Sequence, residues 1–421
     1  MNKNHRVSTT PQWLSYVRTH PLIIILIAFT VLGLMHNAAT PLYEAPDEIW
    51  HDAYVRWLVR TGEFPPQDDD RSGAYQQVTQ PPFYYLIAAL VRAPFPDDNL
   101  SDLRWHNPGF GTQAPGTQPD NKNMLIHTEA EAWPWRGAAL AIHVTRLSSL
   151  GFGLLTLVSI WHLAIETFRD RRVAVTATAL VAFHPQFTFI SSVVSNDAAA
   201  AALSTLGLWL AARAVRRGST WQRSLTMGLV AGLAALTKTS TLPLIGVMTA
   251  AALWGNLHRG QSTTEVEDGR SQRRSRARIN LRNLGVMILG AALTAGWWYL
   301  RNTVRYGDPL GLGTHQNTPW ARTEPVSLTA LIPELPLLIR SFWNGYGWGH
   351  VTWPRSISWG LTGISVALWI RAVVLWIGGI ARKQKGNGSQ PAQDPDRSWI
   401  MGLTLGWAGT IFIALLRWMQ M

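Results

Sequence analysis

Apolar runs follow one another along this chain, at about residues 21–37, 143–168, 173–191, 198–214, 225–236, 242–257, 284–300, 357–380 and 399–418. About 20 apolar residues are enough to cross the hydrocarbon core as a helix. No lipid-exposed backbone can leave its N–H and C=O groups unpaired there, so repeated runs without strand alternation dictate helices. The expected fold class is therefore all-α, a polytopic transmembrane helical protein of about nine spans. Composition agrees, with 47% hydrophobic and only 15% charged residues. The mean hydropathy of +0.04 conceals this because it averages the runs with two large polar loops. The 22 Trp fit a chain with many membrane interfaces, where an indole sits among headgroups with its N–H hydrated. The sequence contains no Cys, which excludes disulfides and thiolate metal sites.

Basic residues set the orientation. A tail carrying Lys3, Arg6 and Arg18 precedes the first run, so residues 1–20 are expected in the cytoplasm, and a cleaved signal peptide ending near Asn37-Ala38-Ala39-Thr40 is the alternative. From that start the loops at 169–172, 213–223, 258–282 and 382–397 fall on the cytoplasmic side, and each is rich in Arg or Lys. The net charge of +12 is thus spent on orientation, and nucleic acid is excluded as a partner because no aromatic and basic platform accompanies it. The series Arg270, Arg273, Arg274, Arg276, Arg278 and Arg282 reads as an orienting loop drawn to anionic lipid, with a partner-binding motif as the other reading. Residues 21–421 then form one transmembrane domain with two large extracytoplasmic loops, 40–141 and 301–356. Within the first, the apolar segment 82–91 spans about 15 Å as a helix and is expected to lie at the interface.

The outward positions carry chemistry that an inert anchor would not need. Asp47 and Glu48 follow Pro46 at the head of an expected amphipathic surface helix, where capping is the plain reading and a general base the functional one. Glu48 and His51, at i and i+3, could also share a metal. Tyr84 lies in the aromatic segment Gln80-Pro81-Pro82-Phe83-Tyr84-Tyr85-Leu86, which reads as an interfacial anchor, with Tyr84 also a candidate for the vicinity of substrate or metal. Ser195-Asn196-Asp197 opens the fourth run, either as a helix cap or as a site for a phosphate or metal. Lys238, on the outside, runs against the positive-inside bias and either snorkels or meets an anion. Arg301 and Arg305, one turn apart, are spaced to grip one phosphate. The segment 341–348, with Trp343, adds outward aromatics that stack on a sugar or rest in headgroups.

The order of these clusters (APDEIWHDAY, QPPFYYL, HVTRLSSL, HPQFTFISSVVSNDA, GLAALTKTSTLPL, WWYLRNTVRYGDPLG and SFWNGYGW) resembles the GT-C superfamily of membrane glycosyltransferases. Within it, the sequence is similar to bacterial membrane proteins related to protein O-mannosyltransferases and aminoarabinose lipid A transferases. The resemblance implies that the pair Asp47-Glu48 includes the catalytic carboxylate and that Asp197 lies near the site, where it helps bind metal in some members. It further implies that Lys238, Arg146 and Arg301 hold the lipid phosphate. It leaves open a divalent cation, Mg or Mn, on Asp47 and Asp197. Relatives continue into further spans, so the chain is expected to lack C-terminal spans that they possess.

The implied reaction moves a sugar from a polyprenyl-phosphate donor to a hydroxyl of a glycan, lipid or protein acceptor, on the outer face of the plasma (inner) membrane. Phosphate leaves readily, so one carboxylate acting as base on the acceptor suffices. A transporter or flippase of a lipid-linked or small polar substrate is the alternative, and an inactive scaffold a third. Transporters place ionisable groups near the midplane, whereas these acids gather at outer span ends.

Overall fold

The structure is a computed structural model and describes residues 19–110, 123–259, 269–316, 318, 322, 324–384 and 394–420. Lys3, Arg6 and Arg18, expected to orient the chain, lie outside the described residues, as do residues 260–268 of the expected loop 258–282, whose part from Gly269 on is helical. Among the described residues the protein is helical, with isolated β-bridges and no strand.

α1 (Pro21–Ala39) opens with Pro21 in its first turn, where a missing N–H costs nothing. Beyond it, α2 (Glu48–Thr61) and α3 (Phe83–Arg92) form an outer layer on a bundle of α4 (Gly137–Phe168), α5 (Arg171–Ala182), α6 (Pro185–Ile190), α7 (Asn196–Arg217), α8 (Trp221–Ala235) and α9 (Leu244–Arg259). α10 (Gly269–Ala291) continues through a π-turn at Ala292–Gly296 into α11 (Trp297–Tyr306). After a polar stretch come α12 (Leu335–Asn344), α13 (Arg355–Gln384) and α14 (Pro395–Gln420).

Six helical stretches among the described residues are long and apolar enough to cross a membrane: 21–39, 137–168, 196–217, 280–306, 355–374 and 395–420. The other three expected spans are shorter. The run 173–191 breaks at His184-Pro185 into α5 and α6, because the residue before proline is driven out of the helical region. α8 and α9, of 15 and 16 residues, reach about 23 Å each, short of a hydrocarbon core of about 30 Å. The protein is a multi-pass membrane protein. Exposed Ile364, Leu368 and Trp369 on α13 show why, since such a surface in water would aggregate.

The main core lies among α7, α8, α9, α10 and α14, around Leu203, Met227, Leu244, Met248, Met287 and Trp407. Small residues let the helices close up. A side chain at Gly228 would strike the Met287 backbone, and one at Gly255 the Ala214 backbone.

The outer layer is held by polar groups instead. Asp52 and Arg92, both buried, pair at 3.0 Å and join α2 to α3, while Tyr43 donates its hydroxyl to Asp52 at 2.7 Å. Arg92 also meets Asp97 at 2.7 Å, and Arg56 meets Asp97 at 2.6 Å. Further bonds draw the outer ends of the spans together. Phe83 N–H donates to the Leu236 carbonyl at 2.9 Å, and Tyr299 Oη donates to the Ala235 carbonyl at 2.8 Å. The expected surface helix and the expected interfacial segment thus form, but α3 turns its tyrosines inward. Tyr84 and Tyr85 are fully buried, which corrects their reading as a headgroup anchor.

Candidate active site

The first turn of α2 separates two adjacent carboxylates. Glu48 points into the protein, is 0% exposed, and accepts Arg146 Nε and Nη2 at 2.7 Å each. It also accepts the Val194 N–H at 2.9 Å and the Tyr43 N–H at 3.1 Å, so its lone pairs are filled. Arg146, also 0% exposed, spends its remaining donors on the carbonyls of Asn37, Thr40 and Pro41. Two expectations are corrected here. Glu48 is a buried staple between α2 and α4 with no approach for substrate, and Arg146 has no donor left for a lipid phosphate. The sharing of a metal by Glu48 and His51 fails too, because His51 is turned to Tyr85, with Nδ1 2.7 Å from the phenol oxygen. Burial lowers the His51 pKa to about 3, so the ring is neutral.

Asp47 differs in every respect. It is the N-cap residue of α2, yet its side chain makes no capping bond, and its backbone is left-handed at φ 62°. A non-glycine residue held there is strained, and such strain gathers at functional sites. Its carboxylate accepts one bond, from Gln77 Nε2 at 3.3 Å. Burial raises its pKa to about 6, with the Lys238 charge pulling it down, Asp197 pushing it up and the Gln77 bond lowering it.

Asp197 and Lys238 are ion-paired beside it, with side chains 52% and 30% exposed. Ser195 caps α7 by accepting the Asp197 N–H at 3.2 Å, so the capping reading of 195–197 describes Ser195. Asn196 is buried, donating to Gln80 Oε1 at 3.1 Å and to the Thr237 carbonyl at 3.2 Å, which fixes α7 against the turn that presents Lys238. Tyr84 is structural as well. Its hydroxyl lies 2.8 Å from Ser149 Oγ and accepts the Ser195 N–H at 3.0 Å. Trp343 stands elsewhere, with its N–H on Thr362 Oγ1 at 2.8 Å and its ring stacked on His184.

Arg301 and Arg305 sit toward the other end of α2, where they line a cavity of about 380 Å³ with Trp57, Glu63, Phe64, Pro66 and Arg71. From Asp47 to Trp57 the helix rises about 15 Å. The Arg301 guanidinium lies 5.0 Å from the Trp298 ring centre and 5.7 Å from that of Phe64. Neither arginine meets a carboxylate among the described residues. The Trp57 indole N–H is buried without a partner, a further donor beside this cavity. The π-turn before Trp297 re-aims the last turns of the span, a device common near functional sites.

Among the described residues no group of three or more His, Asp or Glu could hold a metal. Lys238 already supplies positive charge to Asp197.

Residues 139–266 match the family model described as dolichyl-phosphate-mannose-protein mannosyltransferase. The match covers less than a third of the chain. It suggests a membrane glycosyltransferase. It spans α4 to α9, including Asp197 and Lys238, and reaches neither Asp47 nor Arg301. No curated protein matches the chain.

Gln77 and the Trp57 and Phe64 walls of the cavity escape sequence reading, because each stands in an ordinary loop or helix without a motif. The unused cap at Asp47 has one sequence signal, Pro46 before two acids, but only coordinates separate the two carboxylates.

Proposed function

We propose that this chain is a GT-C type glycosyltransferase that moves a sugar from a polyprenyl-phosphate donor to an acceptor hydroxyl, on a glycan, lipid or protein, at the extracytoplasmic face of the plasma (inner) membrane. The orientation used here is that of a cytoplasmic amino terminus, with residues 21–421 as one domain. One observation carries the reading. Asp47 heads a helix without capping it, and its carboxylate is left reachable with a pKa of about 6, suited to taking a proton near neutrality.

In this mechanism Asp47 accepts the acceptor's hydroxyl proton as that oxygen attacks the anomeric carbon. The bond from that carbon to the phosphate oxygen breaks, and the phosphate leaves with the electron pair. Arg301 and Arg305 neutralise the charge growing on it, a term worth about 3 kcal/mol per well-placed donor. Lys238, expected as a phosphate ligand, is committed to Asp197 and acts on Asp47 through its field. No step is routed through a metal.

The test is transfer in lipid nanodiscs, using labelled mannosyl polyprenyl phosphate as donor and a mixed panel of glycan and peptide acceptors. Label appearing in an acceptor through a new glycosidic bond supports the reading. Exchange of the labelled lipid across the membrane without bond formation assigns transport instead.

A further inference from the structure

The two elements that hold Asp47 also build a second feature that the mechanism above does not use. The first turn of α2 carries Trp50 three residues after Asp47, and the 3-10 turn Tyr75–Thr79 carries Tyr75 two residues before Gln77, the donor to Asp47. Trp50 and Tyr75 meet with ring centres 5.9 Å apart at 54°. A third ring, Trp348, comes from the tight turn closed by Tyr346 and Val351, and meets Trp50 at 5.7 Å and 73°. These inclined rings form walls beside the carboxylate and do not close into a stack.

Two further observations mark the place as built for a ligand. Tyr75 is 55% exposed although its backbone is forced to φ 44°, a strained position for an aromatic residue. Tyr43, Asp47 and Tyr75 supply three of the four left-handed non-glycine residues among those described, and all three lie in this part of the outer layer. One platform ring, Trp348, and the residue that follows Tyr75, Gln76, each carry a polar atom with nothing to bond. The Trp348 indole N–H is shielded from water without an acceptor, and Gln76, 5% exposed, has a side-chain carbonyl without a donor. Orphaned groups of both kinds call for a partner that both donates and accepts.

We infer that Trp50, Tyr75 and Trp348 form the acceptor subsite and that the acceptor is itself a carbohydrate. A pyranose offers C–H groups that pack on aromatic faces and hydroxyls that donate and accept at its edge. A ring seated on this platform stands beside the elements that carry Asp47 and Gln77, so it can offer a hydroxyl to Asp47. The inference rests on the transferase reading and narrows its acceptor to a glycan or glycolipid.

Binding tests this apart from turnover. The full chain in nanodiscs is titrated with mannotriose, cellotriose and an acetylated Ser- and Thr-containing peptide, observed by saturation-transfer NMR. At least one trisaccharide should bind through its ring-face protons. Trp348→Ala and Tyr75→Ala should each weaken it by about tenfold, with Trp348→Phe restoring most of the loss. Asp47→Asn should leave trisaccharide binding in place while abolishing transfer, so the two readings fail separately. Thermal unfolding of each variant separates lost binding from lost structure. Binding of the peptide alone, or trisaccharide binding indifferent to the Ala variants, overturns the inference. Displacement of the trisaccharide by mannosyl polyprenyl phosphate also overturns it, since the platform would then belong to the donor sugar.

Discussion

Asp47 and Glu48 are neighbours in sequence and opposites in the fold. The region behind Glu48 is a dry ionic core, in which Glu48–Arg146 and Asp52–Arg92 join α2 to α4 and α3 with their polar atoms bonded. The region in front of Asp47 is an open rim, where Asp197 pairs with Lys238 and Arg301 faces aromatic rings. Charges in the core cannot be reached, so they hold the layer together. Asp47 on the rim accepts one bond, and Arg301 and Arg305 meet no carboxylate among the described residues, so these charges stay available to a ligand. Residue type is the same in both regions, and the number of protein partners decides the role.

The comparison breaks most readily at its core. Glu48→Ala leaves Arg146 charged and unpaired in a buried site, which should cost about 3–5 kcal/mol, read as loss of folded protein in detergent. Asp47→Asn should leave stability unchanged or higher, because its carboxylate is raised by burial and its charge is a burden on the fold. Its effect belongs to catalysis, a fall of about 10²–10⁴ in transfer rate at pH 7. Arg301→Ala and Arg305→Ala should each lower kcat by about 10²-fold without loss of folded protein.

Smaller effects sharpen the electrostatics of the rim. The rate limited by Asp47 should fall about tenfold per pH unit below a midpoint of about 6, because only the ionised carboxylate accepts a proton. Lys238→Met should move that midpoint up and Asp197→Asn should move it down, since the first charge eases proton release and the second opposes it. His127 offers the smallest test. It bridges Glu131 at 2.8 Å and Glu44 at 3.0 Å. Burial opposes its charge, but the bonds to Glu131 and Glu44 prevail and hold its pKa at about 9. Its raised value means that its contribution is complete below pH 6.5 and fades as pH climbs toward 9, so thermal stability should drop across that window.

Much of the fold is legible in the sequence, because hydropathy reports a helix's surroundings wherever lipid is the solvent. The long helices at 21–39, 137–168, 196–217 and 395–420 fall on the apolar runs. Reading is weaker where a run is broken or shared. Pro185 divides one expected span, and α8 and α9 are too short for hydropathy to settle their depth. The candidate site is less legible still. Arg146 is 98 residues from Glu48, and nothing in either segment announces that they saturate one another. Trp343 is the aromatic that the segment 341–348 suggests for the site, but Trp348 is the one that reaches Trp50. Such assignments depend on which way a short turn closes, and that follows from tertiary packing.

The central claim is that the outward carboxylate of the adjacent pair performs the chemistry. The most direct measurement is the initial rate of sugar transfer by Asp47→Asn and wild-type protein at equal amounts of correctly inserted chain. The account predicts that transfer by the variant falls by about 10²–10⁴ at pH 7 while insertion matches the wild type and thermal stability is not lowered. Undiminished turnover by that variant would contradict it.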